Sequence, residues 1–389
     1  MLNRRLFRLA VPLAVGAMTL AACGDGETEG PGDGGKKEYT LAYQGPLSGD
    51  NAAIGENEAN GVKLAVKLAN EKGDLPFTLK YSGQDDLGSP EGGPTAAQKS
   101  IDDASVMAVV GPAFSGASKA SGPLFTDAKL AAVSPSATNP DLTSQGFTSF
   151  FRVVPPDDAQ GAEAANYISK VLKSKKVYSL NDKSEYGVGL AGVLDKTLQA
   201  NGTEIVQEGV PITKDYSTVA QKVKNSGADA IFYSGYFPEL ALLTKALKSA
   251  GYTGAILSGD GSNDDEYIKQ ATAATAEGVY LFCPCGDANV DPNAKDFATA
   301  YTAEFKKPAG AYSPESFDAA NAIIAAMKSV GADLTREKVL EAIRGIDYKG
   351  ITKQIKFTDK GEVEGKTIFV YQVKAGKRGV LGTTADLVS

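Results

Sequence analysis

The chain has 389 residues, with 40 Lys and Arg against 47 Asp and Glu, a formal charge of −7 and no histidine. The acidic balance argues against nucleic acid or an anionic membrane surface as a partner. Without histidine there is no Ser-His or Cys-His nucleophile and no usual zinc site, and the commonest general base is missing. No G-x-x-x-x-G-K-[ST] phosphate loop is present, so an NTPase is disfavoured. Nothing positive supports an enzyme, and no cofactor or metal is expected.

At the start, Arg4, Arg5 and Arg8 precede an apolar run over 9–20 and then Ala21-Ala22-Cys23. This order of basic, apolar and small residues reads as an export signal; a membrane span would need about 20 apolar residues. Leu20-Ala21-Ala22-Cys23 also resembles the bacterial lipobox, whose cysteine takes a diacylglycerol and becomes the new N-terminus. The alternative is an ordinary cleavage site beside a chance cysteine. Two or more acyl chains would anchor the protein stably where one would not. The expected location is the outer face of the cell membrane, reached by export and held by lipid. Loss of residues 1–22 removes three arginines and no acid, taking the formal charge from −7 to −10. Residues 23–38 are rich in glycine and charge and read as a tether. The rest exceeds what one core usually serves, so two domains are expected.

From residue 39 strands and helices alternate. Strands are expected at 39–45, 77–81, 107–110, 130–133 and 150–154, with helices at 55–70, 90–104 and 116–128 between them. Such spacing implies right-handed crossovers and a mostly parallel sheet, whose ligand sites lie at the strand C-terminal ends. The apolar run 107–110 meets Gly111-Pro112 and opens a helix with Ser115 at its mouth. Free N–H groups and the positive end of the dipole there suit a small anion. One α/β unit later comes Ser134-Pro-Ser-Ala-Thr138, so Ser115, Ser136 and Thr138 form a candidate carboxylate grip. The competing reading is that these hydroxyls are helix caps.

Pro155-Pro156 stops both ladder and helix, and we place the first crossing between domains there. A second alternating series follows: helices at 161–172, 187–200, 218–225 and 239–250, strands at 176–180, 204–210, 230–234, 255–257 and 277–282. Cys283-Pro284-Cys285 marks the return crossing. Helices at 294–306, 316–330 and 335–345 and strands at 354–357 and 367–373 complete the chain. The expected division is 39–156 with 286–365 as one lobe and 157–285 with 366–389 as the other. Two doubly wound parallel-sheet lobes joined by a hinge can close around a ligand.

Five motifs in order carry a resemblance: Gly45-Pro-Leu-Ser-Gly49, Gly111 with Ser115, Pro135-Ser-Ala-Thr138, Asn181-Asp-Lys-Ser-Glu-Tyr-Gly187 and Tyr233-Ser-Gly-Tyr-Phe-Pro-Glu239. The chain resembles the leucine/isoleucine/valine-binding proteins, type I periplasmic binding proteins of branched-chain amino-acid ABC transporters. The resemblance implies that Ser115 and Thr138 hold a ligand carboxylate, helped by backbone at Ser136, and that Asp260 meets its ammonium. It implies a side-chain pocket of Ile54, Ala113, Phe114, Ala137, Tyr186, Tyr236 and Tyr312, and an ABC permease and ATPase as partners. The chemistry is sound in its own right, since burying either charge of a zwitterion unpaired costs several kcal/mol.

Three departures stand out. The ammonium position is commonly glutamate, and Asp260 is shorter by about 1.5 Å, which implies a water-mediated bridge or a deeper ligand. Ile54 replaces an aromatic residue at the mouth, which suits aliphatic ligands. A family disulfide position carries Leu87 and Phe114 here, and Cys283 and Cys285 form a different pair. With Cys23 lipidated, that even pair in an oxidising compartment favours a disulfide, with a metal site as the other reading. An amide, urea or aromatic acid ligand, or a sensing role, is the alternative to amino-acid import.

Overall fold

The computed structural model describes residues 36–388. The export signal, Cys23 and most of the expected tether lie outside the described residues. The first sheet comprises β1 (Glu38–Gly45), β2 (Thr78–Asp85), β3 (Val106–Val110), β4 (Ala131–Ser134) and β5 (Phe150–Arg152). All pairings are parallel, in the order β2-β1-β3-β4-β5. Alternation along β1 sends Leu41 and Tyr43 into one core and Ala42 into another, and in β3 Met107 and Val110 oppose Val106 and Val109. A sheet apolar on both faces must be covered on both.

The second sheet repeats the plan with β6 (Lys176–Asn181), β7 (Glu204–Gly209), β8 (Ala230–Ser234), β9 (Ala255–Ser258) and β10 (Tyr280–Cys283). A small hairpin, β11 (Asp347–Lys349) and β12 (Gln354–Lys356), precedes β13 (Phe369–Lys374) and β14 (Lys377–Thr383). The full order is β14-β13-β10-β9-β8-β6-β7, with β13 and β14 added antiparallel. Each parallel series therefore reverses direction once, between β1 and β3 and between β6 and β8. Crevices form at such switch points, outside the strand C-terminal ends.

The helices are α1 (Ala52–Lys72), α2 (Gly93–Asp102), α3 (Ser115–Asp127), α4 (Asp157–Asn166), α5 (Glu185–Ala200), α6 (Ser217–Asn225), α7 (Phe237–Ser249), α8 (Asp265–Ala271), α9 (Ala273–Ala276), α10 (Lys295–Phe305), α11 (Ser313–Val330), α12 (Arg336–Arg344) and α13 (Thr384–Val388). Helix α11 returns to the first sheet, where Ala319, Ala320, Ile323 and Met327 share a core with Ala59 and Val62 of α1. Three segments carry the chain between sheets: 153–156, 284–294 and 357–368. Among the described residues no helix is long and apolar enough to cross a membrane.

Several boundaries differ from the sequence reading. Helix α4 begins at Asp157, with Pro156 as its N-cap, and its last turn over Tyr167–Val171 is π-helical rather than α. Strand β10 starts at Tyr280 rather than 277, because Gly278 takes φ +82° and the Glu277 carboxylate accepts from Ala375 and Gly376 N–H instead of continuing a ladder. The chain does not end on two strands: Ala375 (φ +51°) and Gly376 (φ +71°) make a tight turn into β14, which alternates half-buried and exposed residues at the sheet edge. Cys283 and Cys285 are joined in a disulfide, with Cα atoms 5.0 Å apart.

Candidate functional site

The C-terminal ends of both sheets converge on a cavity lined by Ile54, Ala113, Phe114, Ser115, Ser136, Tyr186, Tyr236, Asp260, Gly261 and Tyr312. Its free volume is about 10 Å³, room for roughly one water molecule, so a larger guest enters only if the walls part. The lobes are closed over it. Phe114, after β3, stacks on Tyr236, after β8, with centroids 4.4 Å apart and planes 25° from parallel. Tyr236 also leans on Tyr186 at 5.3 Å.

Ser115 is the first residue of α3, and Phe114 occupies the N-cap, so no side chain caps this helix. The capping reading fails for Ser115. Its hydroxyl accepts from Asn139 N–H at 3.2 Å, tying the β3 and β4 loops together. Uncapped N–H groups at a buried helix start are an anion site by construction. Ser136 lines the cavity while its hydroxyl donates to Ala113 C=O at 2.8 Å and its backbone N–H points to Ser134 Oγ at 3.4 Å.

Ala137 and Thr138 do not line the cavity. Ala137 packs against Leu142 and Phe150, because its carbonyl is drawn to the fully buried Arg152 at 3.2 Å. Arg152 also holds Asn139 C=O at 2.8 Å and Glu362 through two nitrogens, at 2.8 and 2.5 Å. The Ser136–Asn139 loop is thus set by a buried guanidinium. Thr138 lies behind the cavity wall, its hydroxyl close enough to Asp157 to favour the ionised carboxylate yet without a well-formed hydrogen bond.

Asp260 is not a solvated loop residue but 5% exposed. Its Oδ1 accepts from Gln160 Nε2 at 2.6 Å and Tyr186 OH at 2.8 Å, and its Oδ2 from Tyr312 OH at 2.6 Å. Tyr312 reaches it from a left-handed backbone, φ +63°, at the N-cap of α11; a non-glycine residue held there is strained, and such strain gathers at functional sites. The neighbouring acids do other work. Asp264 caps α8 by accepting from Glu266 N–H at 2.8 Å, and Asp265 pairs with Arg378 at 3.1 Å.

Sequence reasoning missed Asp157, Gln160 and Gly261. Gln160 Nε2 also donates to Asp157 Oδ1 at 3.0 Å, so one amide bridges two buried carboxylates. Burial pushes both carboxyl pKa values up; repulsion from Asp260 adds to the rise at Asp157, while the three donors to Asp260 oppose its own. The cavity lining contains no Lys or Arg. The available signal was Asp157 and Gln160 at i, i+3 in the first turn after the double proline, one face of one helix. Gly261 gives close approach: a Cβ there would sit 2.9 Å from Tyr186 and 3.0 Å from Tyr236.

A two-lobed fold closed over a small cavity, with helix N–H groups at one end and a cation-free carboxylate at the other, defines a solute-capturing protein. The chain belongs to the periplasmic binding protein family, whose profile matches residues 38–378. It is 32% identical over 344 residues to a Leu/Ile/Val-binding protein, BraC3, of Rhizobium johnstonii, covering 87% of this chain and 93% of that one. The branched-chain amino acid transporter substrate-binding protein LivJ of Streptococcus pneumoniae, solved with isoleucine, superposes with TM-score 0.81 at 27% identity, covering 89% of this chain and all of that one. The leucine-binding protein LivK of Thermotoga maritima gives TM-score 0.80 at 26% identity, covering 89% and 98%. The chain is a solute-binding protein, not an enzyme, and its family works outside the cytoplasm.

Proposed function

We propose that this chain captures an aliphatic, branched-chain amino acid between its lobes and delivers it to an ABC permease, tethered to the membrane through a lipidated Cys23. The observation that carries this reading is Asp260. A carboxylate offers about four acceptor positions, and three are filled by Gln160, Tyr186 and Tyr312. What remains is one acceptor position on a buried carboxyl whose cavity supplies no Lys or Arg, which an ammonium group completes while favouring the ionised form. The ligand carboxylate would meet the uncapped start of α3 at Ser115, and its side chain would lie among Ile54, Phe114 and Tyr236.

A thermal-shift and calorimetric panel tests this. Leucine, isoleucine and valine should bind near micromolar, about 8 kcal/mol, while the 2-hydroxy analogue of leucine, which lacks the ammonium, should not bind measurably. Binding of small amides or aromatic acids in place of amino acids would refute the reading. Radiolabelled palmitate incorporated into the wild type and lost in Cys23→Ala would support the anchor; equal release of both proteins from cells would refute it.

A further inference from the structure

A second cavity lies where the chain crosses between the sheets, with a free volume of about 120 Å³. It touches all three crossings: Pro155 from the first, Pro284 and Gly286 from the second, Gly365 and Thr367 from the third. Its remaining walls come from both lobes, Pro314 and Glu315 of α11 on one side and Phe369 of β13 on the other. No residue is shared with the cavity at the strand ends.

Glu315 gives this cavity its chemistry. The residue is 1% exposed; Oε1 accepts from Gly286 N–H at 3.2 Å, and Oε2 has no hydrogen-bond partner. An unsatisfied buried carboxylate oxygen is costly. Asp291 and Glu364 add two more acids to the lining against one base, Lys353, whose ammonium already donates to Val153 C=O at 3.0 Å. Burial pushes the Glu315 carboxyl up to about 7, with the Lys353 charge opposing the rise. The prolines, Ala288, Ala294 and Phe369 make the remainder apolar.

We infer that the crossing cavity is a second ligand site, taking a small organic monocation whose N–H groups complete Glu315 while an apolar body fills the space beside Phe369. Because the walls come from both lobes and from the segments that join them, the cavity's shape depends on how the lobes are set against one another. A guest there favours closure and tightens capture at the strand ends, and by linkage the captured solute tightens the guest to the same extent.

Benzylamine, protonated at neutral pH, is the probe, with benzyl alcohol as its neutral counterpart of similar shape. Saturation-transfer NMR on the mature protein should show benzylamine binding that added leucine does not displace, with benzyl alcohol weaker. Ala294→Trp, which fills the cavity, should abolish the transfer while leaving leucine affinity without amine unchanged. Glu315→Gln should reduce benzylamine to the level of benzyl alcohol, a readout that holds even if the tryptophan variant folds poorly. Calorimetry should show leucine binding several-fold tighter with millimolar benzylamine. The inference is overturned by absence of transfer, which would mean a cavity filled by water only. Transfer displaced by leucine, or transfer undiminished in both variants, overturns it equally. The amine is read directly, so this outcome is independent of which solute the cleft takes.

Discussion

Replacing Asp260 with asparagine separates charge pairing from architecture. The two side chains have the same shape, and asparagine keeps an oxygen for Gln160 and Tyr186 while turning an amide toward Tyr312, whose hydroxyl can rotate to accept. The ammonium of a captured amino acid loses its direct counter-charge. Removing one partner of a buried ion pair costs about 3–5 kcal/mol, so leucine affinity should fall by roughly a hundred- to several-thousand-fold. The empty protein should move the other way. Burial and the nearby Asp157 already disfavour the Asp260 carboxylate, and a neutral amide relieves both, so the melting temperature without ligand should hold or rise. Calorimetry with leucine and differential scanning of the empty variant together decide the matter. Leucine affinity within about threefold of wild type would place the ammonium elsewhere. Affinity and melting temperature falling together would make Asp260 a support of the closed cleft rather than a partner of the ligand.

The same pair of acids predicts a pH dependence. Asp157 and Asp260 have folded pKa values raised above their unfolded ones, so the folded state binds more protons, and their contribution to stability, full below the unfolded carboxylate pKa, is lost as pH climbs through the raised values. Denaturant titrations of the empty protein should show that decline, and Asp157→Asn should flatten it. A bound ammonium favours the ionised forms, so capture should release protons at neutral pH; calorimetric enthalpies that do not vary with buffer ionisation heat would refute this. Gly261→Ala places a methyl 2.9 Å from Tyr186 and 3.0 Å from Tyr236; overpacking of about 1–3 kcal/mol should appear as weaker leucine binding by calorimetry, and unchanged affinity would show that the cavity floor yields. Lys119 and Glu185 pair across the cleft at 2.9 Å with both side chains 41% exposed, so Lys119→Ala should weaken capture by no more than about 1 kcal/mol, an effect that vanishes at high salt.

How much of this was legible in the sequence depends on the range of the forces involved. Strand runs such as 106–110 and turn residues such as Gly111 announce themselves locally, because apolar period and backbone freedom are local properties. That is why the alternating strand and helix plan, and the strand end that carries Ser115, could be read in order, whereas Tyr186, Tyr236 and Asp260 were named only through the family resemblance. Direction within a loop could not. Ala137 and Ser136 are neighbours in one motif, yet the Ala137 carbonyl is bound by Arg152, itself held by Glu362 210 residues away, and the Ala137 side chain packs with Leu142 and Phe150 rather than in the cavity. Asp157 and Gln160 look like an ordinary acidic helix start until Asp260, 100 residues on, arrives within 2.6 Å of the same amide. Strand β14 escaped because an edge strand that alternates half-buried and exposed residues lacks the apolar run by which central strands are found. The side chains that escaped, Asp157 and Gln160, are thus fixed by contacts distant in sequence. In this chain those contacts do more than complete the fold: Gln160 and Tyr312 reach Asp260 from α4 and from the start of α11, so donors from segments far apart in sequence converge on one buried carboxylate.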